Sequence, residues 1–218
     1  MQQLANLVYR LKENGMIFNN VFDIGACDGR WTRAMKTVIP EAQFHLFEAN
    51  VHYLSDLVLT GSNFYINVLS NEGRESVQFY PGCNTGDSYY KETTTWYDNM
   101  QPVTMPCTTL DKLVVDKKLP IPNLLKIDTQ GSELDILSAS KSLLGKTELF
   151  VCELSVIEYN NGAPKFSDYL DFFQSHEYIP VDLVEVHRAE DILLQLDIAF
   201  MLRSAKNQYL GEGKTIRV

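Results

Sequence analysis

Apolar residues along the chain switch between two spacings. Leu4, Leu7, Val8 and Leu11 repeat at helical intervals, which predicts an amphipathic helix within residues 1–18, ended by Asn14-Gly15. Val21-Phe22-Asp23-Ile24-Gly25 is a short apolar run closed by glycine and predicts a first strand. Trp31, Ala34, Met35 and Val38 return to helical spacing until Pro40 stops them. Residues 43–48 and 63–69 predict second and third strands. The helix between them carries Leu54, Leu57 and Val58 and stops at Gly61. Strand, helix, strand, helix, strand is the pattern of a parallel sheet with helices on its faces, joined by right-handed crossovers.

After Ser70 this rhythm lapses. Residues 71–110 hold Asn-Glu-Gly, Pro-Gly and Asn-Thr-Gly turns and a stretch rich in Thr and Tyr. Strands are expected at 76–80 and 103–110 with no long helix between them. The segment is read as an inserted hairpin region and an acceptor-facing lid. The rhythm resumes with a strand at 124–128, followed by a helix carrying Leu134, Leu137 and Leu144. A strand at 149–154, a helix carrying Phe166, Tyr169, Leu170 and Phe173, and two last strands at 178–186 and 197–202 complete the chain. The expectation is a single α/β domain over 1–218, doubly wound on a mostly parallel sheet, with no internal repeat.

Bulk properties narrow the function. The 218 residues are 45% hydrophobic and 22% charged, enough to bury a sizeable core. A formal net charge of −9 without a Lys/Arg cluster argues against nucleic acid as a partner. No apolar stretch reaches the ~18 residues of a membrane span, and no signal peptide is visible. Cys27, Cys83, Cys107 and Cys152 include no C-x-x-C pair and are read as reduced thiols of a cytoplasmic protein.

Two strings carry chemistry. In the first, Asp23-Ile24-Gly25-Ala26-Cys27-Asp28-Gly29 sits where a strand turns into a helix. Gly25 and Gly29 let a ligand approach the backbone, and the helix offers free N–H groups. Glu48 ends the second strand 23 residues after Gly25 and is placed to accept ribose hydroxyls. A dinucleotide site shows G-x-G-x-x-G and binds a pyrophosphate. Here the spacing is G-x-x-x-G, and Asp23 and Asp28 would repel a pyrophosphate. Both carboxylates instead suit the ammonium and sulfonium of S-adenosylmethionine.

The second string is Lys126-Ile127-Asp128-Thr129-Gln130-Gly131-Ser132-Glu133, which crowds polar groups at another strand–helix junction. With it the chain resembles the FkbM family of S-adenosylmethionine-dependent methyltransferases, over about residues 20–203. The resemblance rests on VFDIGACDGRWT, HLFEAN and LLKIDTQGSELDIL, on the strand end Phe150-Val151-Cys152-Glu153, and on Asn67-Val68-Leu69-Ser70 followed by Glu72-Gly73. It implies a Rossmann-like, seven-stranded class I methyltransferase sheet with an antiparallel last strand, and O-methylation of sugar or polyketide hydroxyls. It implies that Asp23, Gly25, Ala26 and Gly29 cradle the methionine part of the cofactor. Glu48, with Ala49 beside it, would hold the ribose, and Asn67, Val68 and Ser70 would lie near adenine. Cys27 and Asp28 stand where many relatives carry Asn and a small or apolar residue.

The acceptor is expected to be a small molecule or glycan, and the chain to act alone or as a domain of a longer glycan-modifying protein. Candidate acceptor contacts are Gln130, Glu133, Tyr89 and Trp96, since aromatic faces with nearby amides and hydroxyls suit sugar rings. No N-P-P-Y-like string follows the fourth strand, which favours an oxygen acceptor. Asp128 is expected near the cofactor's reactive end, either binding the cofactor amine or as the first candidate for the general base, with Glu153 the second and His187 the third. Asp128 and Glu153 are also hard oxygen ligands that could hold Mg²⁺ or Mn²⁺. Two other functions compete: an NAD(P)-dependent oxidoreductase of the same doubly wound type, and a non-catalytic cofactor-binding module.

Overall fold

A computed structural model describes residues 1–82 and 85–211 of the chain. Helix α1 (Gln2–Glu13) leads into β1 (Asn20–Ile24), α2 (Arg30–Val38), β2 (Gln43–Glu48), α3 (Leu54–Leu59) and β3 (Asn63–Ile66). Then come β4 (Val68–Leu69), β5 (Ser76–Phe79), β6 (Val103–Thr108), α4 (Leu110–Lys117), β7 (Leu124–Ile127) and α5 (Glu133–Ser138). The last elements are β8 (Leu149–Ser155), α6 (Phe166–Ser175), β9 (Tyr178–Ala189), β10 (Ile192–Leu202) and α7 (Arg203–Leu210).

Seven strands form the main sheet in the order β3-β2-β1-β7-β8-β10-β9. All neighbours are parallel except β10, which runs antiparallel between β8 and β9. This is the doubly wound, mostly parallel seven-stranded sheet expected from the sequence. Strands buried on both faces read as continuous apolar runs, and β8 is buried throughout. One face packs Val21, Phe44 and Val151 against Leu4, Leu7, Met35 and Leu57 of α1, α2 and α3. The other packs Phe22, Leu125 and Phe150 against Leu113, Ile136, Tyr169 and Phe173 of α4, α5 and α6. Strand order reverses between β1 and β7, so their carboxyl ends open a crevice there.

Several boundaries depart from the sequence reading. The third strand breaks at Asn67, whose N–H donates to the Glu48 carbonyl at 2.9 Å. Val68 and Leu69 then pair with Cys107 and Thr108 in a small second sheet, β4-β6-β5. The hairpin character of 71–110 is present in the antiparallel pairing of β5 with β6. The strand expected to run to 110 stops at Thr108, because Thr109 caps α4 by accepting the Lys112 N–H at 3.2 Å. The helix after β7 covers only 133–138, and turns carry the chain past Leu144. Cys83 and Asn84 lie outside the described residues; Cys27, Cys107 and Cys152 are free thiols. Among the described residues, no helix is long and apolar enough to cross a membrane.

Candidate active site

The turn after β1 is held from two sides. Gly25 and Ala26 donate their N–H groups to the Phe47 carbonyl at 2.9 and 3.1 Å. Gly25 has φ +73°, and a Cβ there would stand 1.8 Å from the Asp128 carbonyl oxygen. The glycine is therefore required first by the close approach of the β7 loop and only then by any ligand. Cys27 follows at φ +49° and donates its N–H to Glu48 Oε2 at 2.7 Å. Glu48 Oε1 accepts the Asn50 N–H, also at 2.7 Å. Burial raises the Glu48 pKa, and the backbone donors of Asn50, Cys27 and Ala49 work against that shift.

Below the crevice lies a buried cation. Lys126 Nζ stands 3.4 Å from Asp23 Oδ1 and 3.4 Å from Asp128 Oδ2, and donates to the Gly25 carbonyl at 2.8 Å. Burial opposes its charge, but the fields of Asp128, Asp23, Asp197 and Glu153 prevail and push its pKa up. Asp23 is fully buried and also accepts the Thr32 hydroxyl at 2.6 Å. Burial pushes the Asp23 pKa up even so. For Asp128, burial is overcome by Lys126 and by the amide of Gln130, and its carboxyl is held below the usual carboxylate range.

The loop after β7 is shaped by Gln130 at φ +55°. Gln130 Nε2 reaches Asp128 Oδ1 at 3.0 Å and Glu153 Oε2 at 2.6 Å. Gln195 Nε2 reaches the same Glu153 oxygen at 2.7 Å. Burial, then Asp128 and Asp197, raise the Glu153 pKa well above its ordinary value. At the rim, His187 Nε2 lies 3.1 Å from Asp197 Oδ1 and 3.9 Å from Glu153 Oε1.

These groups surround one cavity of about 450 Å³ at the sheet's switch point. Gly25, Ala26, Glu48 and Ala49 line it on the β1–β2 side, and Asn67 and Val68 on the next wall. Asp87, Ser88 and Tyr89 of the 71–110 segment close that wall, while Asp128, Gln130 and His187 line the far end.

Other expected site residues lie elsewhere. Asp28 turns away and takes Arg30 through both carboxylate oxygens. Gly29 caps α2, and a Cβ there would meet the Thr60 methyl at 2.5 Å. Asp23 lies beneath the crevice behind Lys126. Ser70 is buried and reaches the Tyr89 hydroxyl at 3.4 Å. Glu153 stands behind Gln130, outside the cavity wall. Trp96 is 67% exposed and does not line the cavity.

Glu133 does not line the cavity either. It is 1% exposed and faces inward, because the left-handed turn at Gln130 folds the loop over it. Its carboxylate accepts the N–H groups of Thr129 and Gly131 at 2.7 and 3.1 Å and the Tyr169 hydroxyl at 2.8 Å.

Of the carboxylates expected as metal ligands, Asp128 is engaged by Lys126 and Gln130, so a divalent cation there would sit beside an ammonium. Among the described residues, Glu153, His187 and Asp197 form a group of three whose ligand atoms lie within 4.8 Å of one another.

Sequence reasoning gave no role to Lys126, Asp197 or Gln195. Each is a polar residue on an otherwise apolar strand, which is the signal that could have found them.

Comparisons with known proteins agree with this fold. Residues 23–180 match the methyltransferase FkbM domain family. No curated protein matches the chain by sequence. Among solved structures, the chain resembles magnesium protoporphyrin IX methyltransferase from Synechocystis PCC 6803, whose structure holds S-adenosylmethionine. Identity is 9% and the TM-score 0.53, over 92% of this chain and 78% of that one. It also resembles an S-adenosylmethionine-dependent methyltransferase from Clostridium acetobutylicum, with 9% identity and a TM-score of 0.51 over 92% and 91% of the two chains. At such identities these two likenesses speak for the fold.

Proposed function

The chain belongs to the FkbM methyltransferase family, and from that premise we propose that it moves the methyl group of S-adenosylmethionine to a hydroxyl oxygen of a sugar, glycan or similar small polyhydroxylated acceptor. One observation carries the reading: the charge of the cavity wall. Glu48, Asp87, Asp128, Glu185 and Asp197 line it with Arg30, Lys126 and the Met1 terminal ammonium. Arg30 is already held by Asp28, Lys126 lies between Asp23 and Asp128, and the Met1 ammonium pairs with Glu185, so the field left by Glu48, Asp87 and Asp197 favours a cationic ligand. An adenosyl donor with an ammonium and a sulfonium suits that field, and the pyrophosphate of a nicotinamide cofactor does not.

When bound, the donor supplies a methyl group already activated by the sulfonium. The chain's own residues bind and align. Each Glu48 oxygen spends one lone pair on a backbone N–H and keeps another for a ribose hydroxyl. Asn67 and Val68 take the adenine side, and Gly25 and Ala26 the methionine side. Gln130 Oε1 and Tyr89 offer a hydrogen-bond acceptor and an aromatic face to the methyl acceptor. Holding the acceptor oxygen in line behind the methyl contributes several kcal/mol of the barrier, on the order of what orientation supplies elsewhere.

The test has two stages. Calorimetry should show binding of S-adenosylmethionine and S-adenosylhomocysteine but not of NAD. Labelled S-adenosylmethionine should then mark at least one member of a panel of free and nucleotide-linked sugars. Absence of donor binding by folded protein removes the reading. Donor binding without transfer to any hydroxyl acceptor would assign the chain to non-catalytic binding modules.

A further inference from the structure

We infer that His187, oriented by Asp197, is the group that takes the proton from the acceptor hydroxyl, with Nδ1 as the accepting nitrogen. The inference rests on the methyl-transfer reading above. His187 and Asp197 lie on adjacent antiparallel strands, β9 and β10, where His187 is paired with Gln195 and Asp197 with Glu185. That register brings Nε2 to 3.1 Å from Asp197 Oδ1. The next group toward Nε2 is Glu153 Oε1 at 3.9 Å. The facing Asp197 carboxylate holds the ring proton on Nε2, so in the neutral ring the lone pair sits on Nδ1. The ring lines the same cavity as Gly25 and Asp128.

The rival bases are worse placed. Asp128 is engaged by Lys126 at 3.4 Å and by Gln130 at 3.0 Å, and both stabilise its ionised form. Glu153 stands behind Gln130, with both glutamine amides on one oxygen. The charged groups around His187 are Asp197 and Glu185 on its own hairpin, Glu153 from β8, and Asp128 and Lys126 from β7 and its loop. The hydrogen bond to Asp197 raises the His187 pKa above its ordinary value.

The step balances. The acceptor oxygen bonds the methyl carbon as the carbon–sulfur bond breaks onto sulfur. The hydroxyl proton passes to Nδ1, so the positive charge of the sulfonium ends on the imidazolium. That proton then leaves to water. Asp197 acts as a positioning residue through the ring.

The test combines nitrogen NMR of the histidines with kinetics on the acceptor found in the screen. The inference expects the Nε2–H tautomer at His187 and a titration midpoint above the ordinary 6.5, falling in Asp197→Asn. His187→Gln should lower kcat by roughly 10²- to 10⁴-fold while leaving S-adenosylhomocysteine affinity intact. Asp197→Asn should move the acid limb of kcat against pH to lower pH. An Nδ1–H tautomer, or a His187→Gln enzyme within threefold of wild type at every pH, overturns the proposal. So does wild-type activity abolished by EDTA and restored by Mn²⁺, which would make Glu153, His187 and Asp197 a metal site. In all three outcomes retained donor binding leaves the methyltransferase reading standing, whereas loss of donor binding in wild type removes that reading itself.

Discussion

Glu48 accepts the backbone N–H of Cys27 at 2.7 Å and so pins a non-glycine residue in the left-handed region, at φ +49°. One carboxylate both shapes the turn after β1 and faces the cavity. In Glu48→Gln, one backbone donor would meet an amide NH₂ instead of an oxygen. Losing a hydrogen bond to a charged group costs about 1.5–3 kcal/mol. Donor affinity should fall roughly 10- to 100-fold by calorimetry, at 1.4 kcal/mol per tenfold. Unchanged affinity would remove Glu48 from the cofactor site.

Lys126 is the only cation described between Asp23 and Asp128, and the Asp23 side chain is 0% exposed. Lys126→Met would leave a buried carboxylate without its counter-charge, a change that costs about 3–5 kcal/mol in buried pairs. Urea denaturation should show that loss. Adding Asp23→Asn should recover part of it, because the uncompensated charge is gone. A double variant less stable than Lys126→Met alone would contradict the pairing.

The sequence was most legible where one strand or one loop decides the matter. Val21–Gly25 reads as a buried strand because residues on both faces are apolar, and Glu48 is recognisable as the strand end beside it. Contacts set by distant pairing were not legible. The break at Asn67 depends on Val68 and Leu69 finding Cys107 and Thr108. Thr109 followed by Asp111 carries a helix-cap signal, but it sits at the end of a strand-like run that hides it. Gln130 and Glu133 are three residues apart, yet one lines the cavity and the other supports the loop from inside. The positive φ at Gln130 decides that, and spacing alone does not reveal it. Asp197 meets His187 only across a hairpin with register shifts on either side of it.

Glu133 should behave as a structural group. Glu133→Ala would strand the N–H groups of Thr129 and Gly131 and the Tyr169 hydroxyl, each worth about 1–3 kcal/mol when left unsatisfied. The variant should lose at least about 3 kcal/mol in urea denaturation, and Tyr169→Phe about 1 kcal/mol. A Glu133→Ala protein of wild-type stability that fails only to use the acceptor would return Glu133 to the acceptor site.

The pair of His187 and Asp197 also links stability to pH. Asp197 raises the His187 pKa in the folded chain above its unfolded value. A group with a raised folded pKa contributes stability that is fully present below the unfolded pKa and lost as pH rises through the folded one. For Asp197, burial pushes the carboxyl up and the imidazolium holds it down, so protonation of Asp197 ends the pairing at the acid side. The stability gap between wild type and Asp197→Asn should therefore be largest near pH 6 and shrink toward pH 9. Urea titrations of both proteins at the two pH values measure it. A gap that stays constant or widens with pH would show that His187 is not held as an imidazolium by Asp197.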